Sequence, residues 1–147
     1  MRAASGTGAL SLNAGGIEPG AVYTVDPSKV HLPAALANGP HRDNRWLLVV
    51  SCKDDCRHEY SATVLVVILS AKVQNYWARH DVLVEKGDGG TDQQCIAQAD
   101  TVFPLLKSDL LGTGTLRGGM FKDTLRQVRA RIGAVVGLDH AAPAQGG

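Results

Sequence analysis

The sequence is short of the features that mark a specialised class of protein. Its 147 residues carry 15 basic and 14 acidic side chains, a net charge of +1. No global basic field therefore points to nucleic acid, and any anion site has to be a local cluster. Cysteine is scarce and odd in number, with only Cys52, Cys56 and Cys95. That excludes the paired framework of a small secreted protein and points to the cytoplasm. Cys52, Cys56 and His58 lack a fourth ligand at a sensible spacing, so no metal and no cofactor is expected. No apolar run approaches the roughly 18 residues that span a bilayer. The Gly/Ala/Ser-rich start has no apolar core of the kind a signal peptide needs. No internal repeat is visible.

What is present is the balance of an ordinary globular domain, 44% hydrophobic and 20% charged, with length for one core. Residues 1–16 and 141–147 are small, Gly/Ala/Pro-rich and aperiodic, and read as loose tails around a single domain at 17–140. Within it Ala21 to Asp26, Arg45 to Cys52, Thr63 to Leu69, His80 to Glu85 and Gln94 to Ala99 read as strands. The second and third are continuous Val/Ile/Leu runs, as in strands buried on both faces. Cys52 and Cys95 read as small core residues in such strands. Lys86-Gly-Asp-Gly-Gly90 is a turn signal. Leu106 to Leu110 suggests one helical turn, and Gly114 to Arg117 a short strand.

The C-terminal part changes period. Phe121, Leu125, Val128, Ile132 and Val135 recur at helical spacing, with Lys122, Arg126, Arg129 and Arg131 mostly off that stripe. Several short strands followed by one amphipathic helix indicate an α+β, mainly β fold: a small SH3-like barrel with a C-terminal helix.

From Arg45 onward an ordered set of segments resembles the MazF/PemK toxins. The pieces are N-R-W-L-L-V-V-S (44–51), V-L-V-V-I-L-S (64–70), C-I-A-Q-A-D-T-V-F-P-L-L-K-S-D-L (95–110) and G-T-L-R-G-G-M-F-K-D-T-L-R-Q-V (114–128), preceded by G-A-V-Y-T-V-D (20–26). They come in the family's order across roughly residues 20–138. Two departures stand out. Trp46 replaces the usual proline after the arginine. Thr101-Val102-Phe103-Pro104 replaces Q-I-R-T, with loss of a basic residue.

The resemblance implies a type II toxin that cleaves single-stranded RNA without metal, acts as a homodimer and is blocked by a cognate antitoxin. Carried over by motif, the catalytic pair is Arg45 and Ser70. The residue types suit that chemistry: attack by the 2′-hydroxyl builds negative charge on phosphorus-bound oxygens, and an arginine fork and a hydroxyl are donors for them. Arginine is a poor base, so any proton acceptor should be a histidine, first His41, then His58 and His80. The resemblance also lays RNA along loops that carry Arg42, Asn44, Lys72, Gln74, Trp77 and Arg79. Trp77 and Tyr76 suit either base stacking or an interface. Two other classes remain open: a gyrase poison of the same fold, like the CcdB toxins, and a binder of RNA or protein that does not cut. A chain end of Ala-Pro-Ala-Gln-Gly-Gly disfavours the former, which depends on a terminal aromatic.

Overall fold

The computed structural model describes residues 16–30 and 44–138. Most of the two expected tails, and His41 and Arg42, lie outside the described residues. Six strands form one antiparallel sheet: β1 (Ala21–Val25), β2 (Arg45–Val49), β3 (Thr63–Ser70), β4 (Asp81–Val84), β5 (Cys95–Leu106) and β6 (Thr115–Gly119). Their order across the sheet is β4-β5-β3-β2-β1-β6. The described residues also form three α-helices: α1 (Lys53–Arg57), α2 (Lys107–Thr113) and α3 (Lys122–Val135).

The central strands are apolar without alternation because both faces of the curled sheet are covered. On the first face Tyr23, Val25, Leu47, Val49, Val66 and Ile68 pack with Ile17, Cys56 of α1 and Leu110 of α2. On the second, Val22, Leu48, Val67, Val82, Val84 and Ala97 pack with Leu125 and Val128 of α3. Burying each such branched side chain is worth about 1.5–3 kcal/mol, enough to hold strands only four or five residues long. The expected fold, an α+β, mainly β SH3-like barrel with a C-terminal helix, is found, its sheet curled into a half-barrel.

Several local expectations are corrected. Lys53–Arg57, which no periodicity marks, is the helix α1, with Asp54 and Asp55 in its first turn and Arg57 in its last. Those charges complement the helix dipole. Cys52 is exposed at the start of that helix, its thiol 3.4 Å from Asp55 Oδ2, whereas Cys56 is the buried cysteine there. Strand β5 continues well past Ala99. Residues 99–102 bulge out opposite Val67, between the pairs Ile68↔Gln98 and Val66↔Phe103. Thr101 closes the bulge: its hydroxyl accepts from Ile68 N (3.1 Å) and donates to Gln98 O (2.7 Å). The helical turn at 106–110 is the longer α2. Both ends of the α3 stripe, Phe121 and Val135, are exposed.

Helix α3 is held at two points. Its first turn has no cap from its own N-cap residue, Phe121. Buried Asp88, from the β4–β5 turn, supplies it instead: Oδ1 accepts from Phe121 N at 2.7 Å and Oδ2 from the Thr124 hydroxyl at 2.6 Å. A carboxylate there satisfies an otherwise orphan N–H and meets the positive end of the helix. Arg129 donates to the carbonyls of Val50 (3.0 Å) and Ser51 (2.9 Å), tying the helix to the end of β2. The same turn needs its glycines. Gly90 has a φ of +75°, and a Cβ on it would collide with the Arg117 carbonyl.

Candidate active site at one end of the sheet

β2 and β3 run antiparallel with Trp46 opposite Leu69 and Leu47 opposite Ile68. Extending that register by one residue sets Arg45 opposite Ser70, where β2 begins and β3 ends. Cross-strand partners share a face. Arg45 pairs on its other side with Val25, a first-face residue, so Arg45 and Ser70 both lie on the first face. The two residues named from sequence are thus brought together by strand pairing although 25 positions separate them in the chain.

Both are half-buried. Burial lowers the pKa of the Arg45 guanidinium, yet such a group stays charged at any physiological pH. Partial removal from water strengthens its pull on an anion. The Ser70 hydroxyl accepts a 3.2 Å hydrogen bond from the backbone N–H of Lys72. That is ordinary turn chemistry, and it also fixes the oxygen while its own hydrogen points elsewhere to donate.

Asn44, Lys72, Gln74, Trp77 and Arg79 are all exposed. Asn44 adjoins Arg45. The other four lie on the connection from β3 to β4, which contains a short 3-10 helix at Val73–Asn75. Buried Asp81 organises the end of that connection: its Oδ2 accepts from Trp77 N at 2.8 Å. The indole of Trp77 is 57% exposed, so a ring face remains open to a partner, and it leans on His80 with centroids 4.4 Å apart.

The two described histidines fall away from the pair. His80 Nδ1 stands 3.3 Å from Asp100 Oδ2. His80 closes the turn that leads into β4, and β5 and β3 both stand between β4 and the strand that Arg45 opens. The His58 carbonyl takes a 2.9 Å bond from Lys107 Nζ beyond the Thr63 end of β3. The eight residues of that strand, at about 3.3 Å each, keep it from Ser70.

Two features at this end were not found from sequence. Arg117 of β6 lies over the Trp46 ring, 5.4 Å from its centroid, while its Nε donates to Thr24 Oγ1 at 3.1 Å. Beside Trp46 a small hollow opens on the second face, lined by Leu69, Ala71, Asp92, Gln93 and Cys95 among others. Arginine in an otherwise Gly/Thr-rich short strand was the available signal for the first. The hollow depends on a loop returning from β4, which spacing does not reveal. Among the described residues no three His, Cys, Asp or Glu side chains gather as metal ligands, and no helix is long and apolar enough to cross a membrane.

No known family profile matches the sequence, and no curated protein matches it significantly. Solved structures do. The fold is that of MazF-type endoribonucleases. It is similar to an endoribonuclease from a mycobacterial species (20% identity, TM-score 0.59, covering 82% of this chain and 90% of that chain). It also resembles a mycobacterial endoribonuclease in complex with its cognate antitoxin (21%, 0.60, 82% and 95%). A MazE–MazF complex from Deinococcus radiodurans matches at 14% identity and a TM-score of 0.57, over 82% of this chain and 94% of that one. At such identities the likeness is one of fold, and the function has to be argued from the site.

Proposed function

We propose that this chain is the toxin of a type II toxin–antitoxin pair, a metal-independent endoribonuclease that cuts single-stranded RNA in the cytoplasm. The observation that carries the reading is the cross-strand placement of Arg45 against Ser70 at the end of a MazF-type sheet. In the proposed reaction the 2′-oxygen attacks the adjacent phosphorus, the P–O2′ bond forms and the P–O5′ bond breaks. The 2′-hydroxyl proton leaves to a base and the 5′-oxygen gains one, giving a cyclic phosphate and a 5′-hydroxyl. Arg45 and the Ser70 hydroxyl supply donors to the non-bridging oxygens as their charge grows. Asn44, Lys72, Gln74 and Arg79, with Arg42, hold the backbone, and the open face of Trp77 stacks an unpaired base. His41 is the proposed base; its position lies outside the described residues. A cognate antitoxin belongs to the same reading, since a structurally similar endoribonuclease is found with its cognate antitoxin; the homodimer is carried by the sequence resemblance.

One observation favours a second reading. Phe103 packs against the first-face core where the resembled motif has a basic residue, so the site has lost a cation, as in a protein that binds RNA without cutting. Incubating the protein with a long unstructured RNA in EDTA separates the two. Discrete fragments with 5′-hydroxyl and cyclic-phosphate ends are expected. Intact RNA that is nonetheless retained by the protein overturns the nuclease and leaves the binder.

A further inference from the structure

The connection from β3 to β4 is pinned at its far end. The Trp77 N–H donates to Asp81 Oδ2 at 2.8 Å, and the Trp77 carbonyl accepts from the N–H groups of His80 (3.0 Å) and Asp81 (2.9 Å). With its main chain so fixed, the indole is left only its side-chain torsions. At 57% exposure, core packing does not settle them. What meets the ring is His80, with centroids 4.4 Å apart and planes tilted by 59°, a contact of the kind that planar rings favour. His80 is in turn tied to β5 twice. Its carbonyl accepts from Ala99 N at 3.2 Å, and its Nδ1 stands 3.3 Å from Asp100 Oδ2. The His80 side chain is only 21% exposed, so the imidazole is engaged by the indole and the carboxylate rather than offered to a ligand.

We propose that His80, tethered by Asp100, is a positioning residue that holds the Trp77 indole with its open face outward, as a platform for an unpaired base. It acts on RNA affinity and takes no part in bond breaking. The inference rests on the ribonuclease reading, in which Trp77 stacks a base. Only β5 separates β4, at whose head the platform stands, from β3, which ends at Ser70. Two strand spacings make about 10 Å, a reach of a few nucleotides. A ring already held loses less freedom when a base lies on it, which strengthens binding without a new contact.

The chain has two tryptophans, so in Trp46→Phe the emission is that of Trp77 alone. Without RNA, its time-resolved anisotropy is expected to follow overall tumbling, and adding His80→Ala is expected to bring in a sub-nanosecond component as the ring comes loose. The RNA probe is a 2′-O-methyl hexamer of A, which lacks the nucleophile and stays intact. His80→Ala is expected to weaken its binding about fivefold and Asp100→Ala about twofold, with single-turnover cleavage at saturating RNA unchanged. In His80→Ala/Trp77→Ala the loss should equal that of Trp77→Ala alone, because His80 acts only through the indole. His80→Phe, which keeps a ring beside the indole without the tether, is expected to recover part of the affinity and controls for a folding defect. Losses that add in the double variant, an anisotropy indifferent to His80, no recovery by His80→Phe, or a fall in cleavage at saturation overturns the positioning role. RNA cut in EDTA with an affinity indifferent to His80 sinks that role alone. RNA bound through His80 but left uncut sinks the nuclease alone, and a protein that binds no RNA sinks both.

Discussion

The two ends of β3 use their polar side chains in opposite ways. At the Thr63 end they are turned onto main chain. Ser51 Oγ accepts from Leu65 N at 2.7 Å, Lys107 Nζ donates to His58 O at 2.9 Å, and Arg129 grips the carbonyls of Val50 and Ser51 at 3.0 and 2.9 Å. At the Ser70 end Asn44, Lys72, Gln74 and Arg79 are directed to solvent, and Ser70 takes a bond that leaves its own hydrogen available. Basic residues are comparably frequent at both ends, so counting charge does not locate the site. What separates Lys107 and Arg129 from Lys72 and Arg79 is whether the donor already has a main-chain acceptor. Arg129 belongs to structure by that criterion, although its place off the apolar stripe of α3 gave no sign of it.

Substitutions can break that contrast. The largest expected effect is Arg45→Ala, a loss of RNA cleavage of about a thousandfold with little change in Tm, checked by single-turnover cleavage and thermal melting. Arg45→Lys should recover little of it, since an ammonium lacks the planar fork. A melted Arg45→Ala protein would place this residue with the structural end instead. Ser70→Ala is expected to slow cleavage about a hundredfold and leave the fold intact.

Asp88→Ala should do the reverse: a loss of about 2 kcal/mol in urea unfolding, because two donors at the head of α3 lose their acceptor, with cleavage by the folded fraction unchanged. Thiol labelling sharpens the picture at lower amplitude. Burial pushes Cys56 and Cys95 up to about 11, so iodoacetamide at pH 8 should modify exposed Cys52 alone, as read by peptide mass spectrometry.

The smallest effect concerns Asp81, whose pKa is raised above 3.8, chiefly by burial. A carboxyl whose folded pKa exceeds its unfolded one favours folding fully only below the unfolded value. That contribution fades as pH climbs through the folded value. Asp81→Asn keeps an acceptor for Trp77 N. It should be slightly more stable than the parent at pH 7, and its stability profile should be flatter on the alkaline side of the ordinary carboxylate range.

The strands were legible because their burial on both faces leaves unbroken apolar runs at Arg45–Val49 and Thr63–Ser70. The pair Arg45 and Ser70 was legible only through the ordered resemblance; an arginine opening a strand is otherwise unremarkable. The second half of β5 was not legible. It carries Pro104 and a bulge, and after a last bond from Ala99 N to the His80 carbonyl on the β4 side the strand is bonded on one side alone. An edge of that kind tolerates a residue without an N–H, which makes the sequence look like loop. Helix α1 was hidden for another reason: five residues are too few to show a period, and only its charge order marked it.

The position of β6 beside β1 has a consequence for how the molecule is made. Tyr23 finds one neighbour, Leu47, early in the chain and the other, Leu116, only near the end. Pairing so distant in sequence is slow to form. A ribosome halted before residue 115 therefore releases a polypeptide whose first strand lacks one flank and whose second apolar face has no helix over it. A message cut short yields no working copy, and the assembled molecule comes into being only with the last segments to emerge.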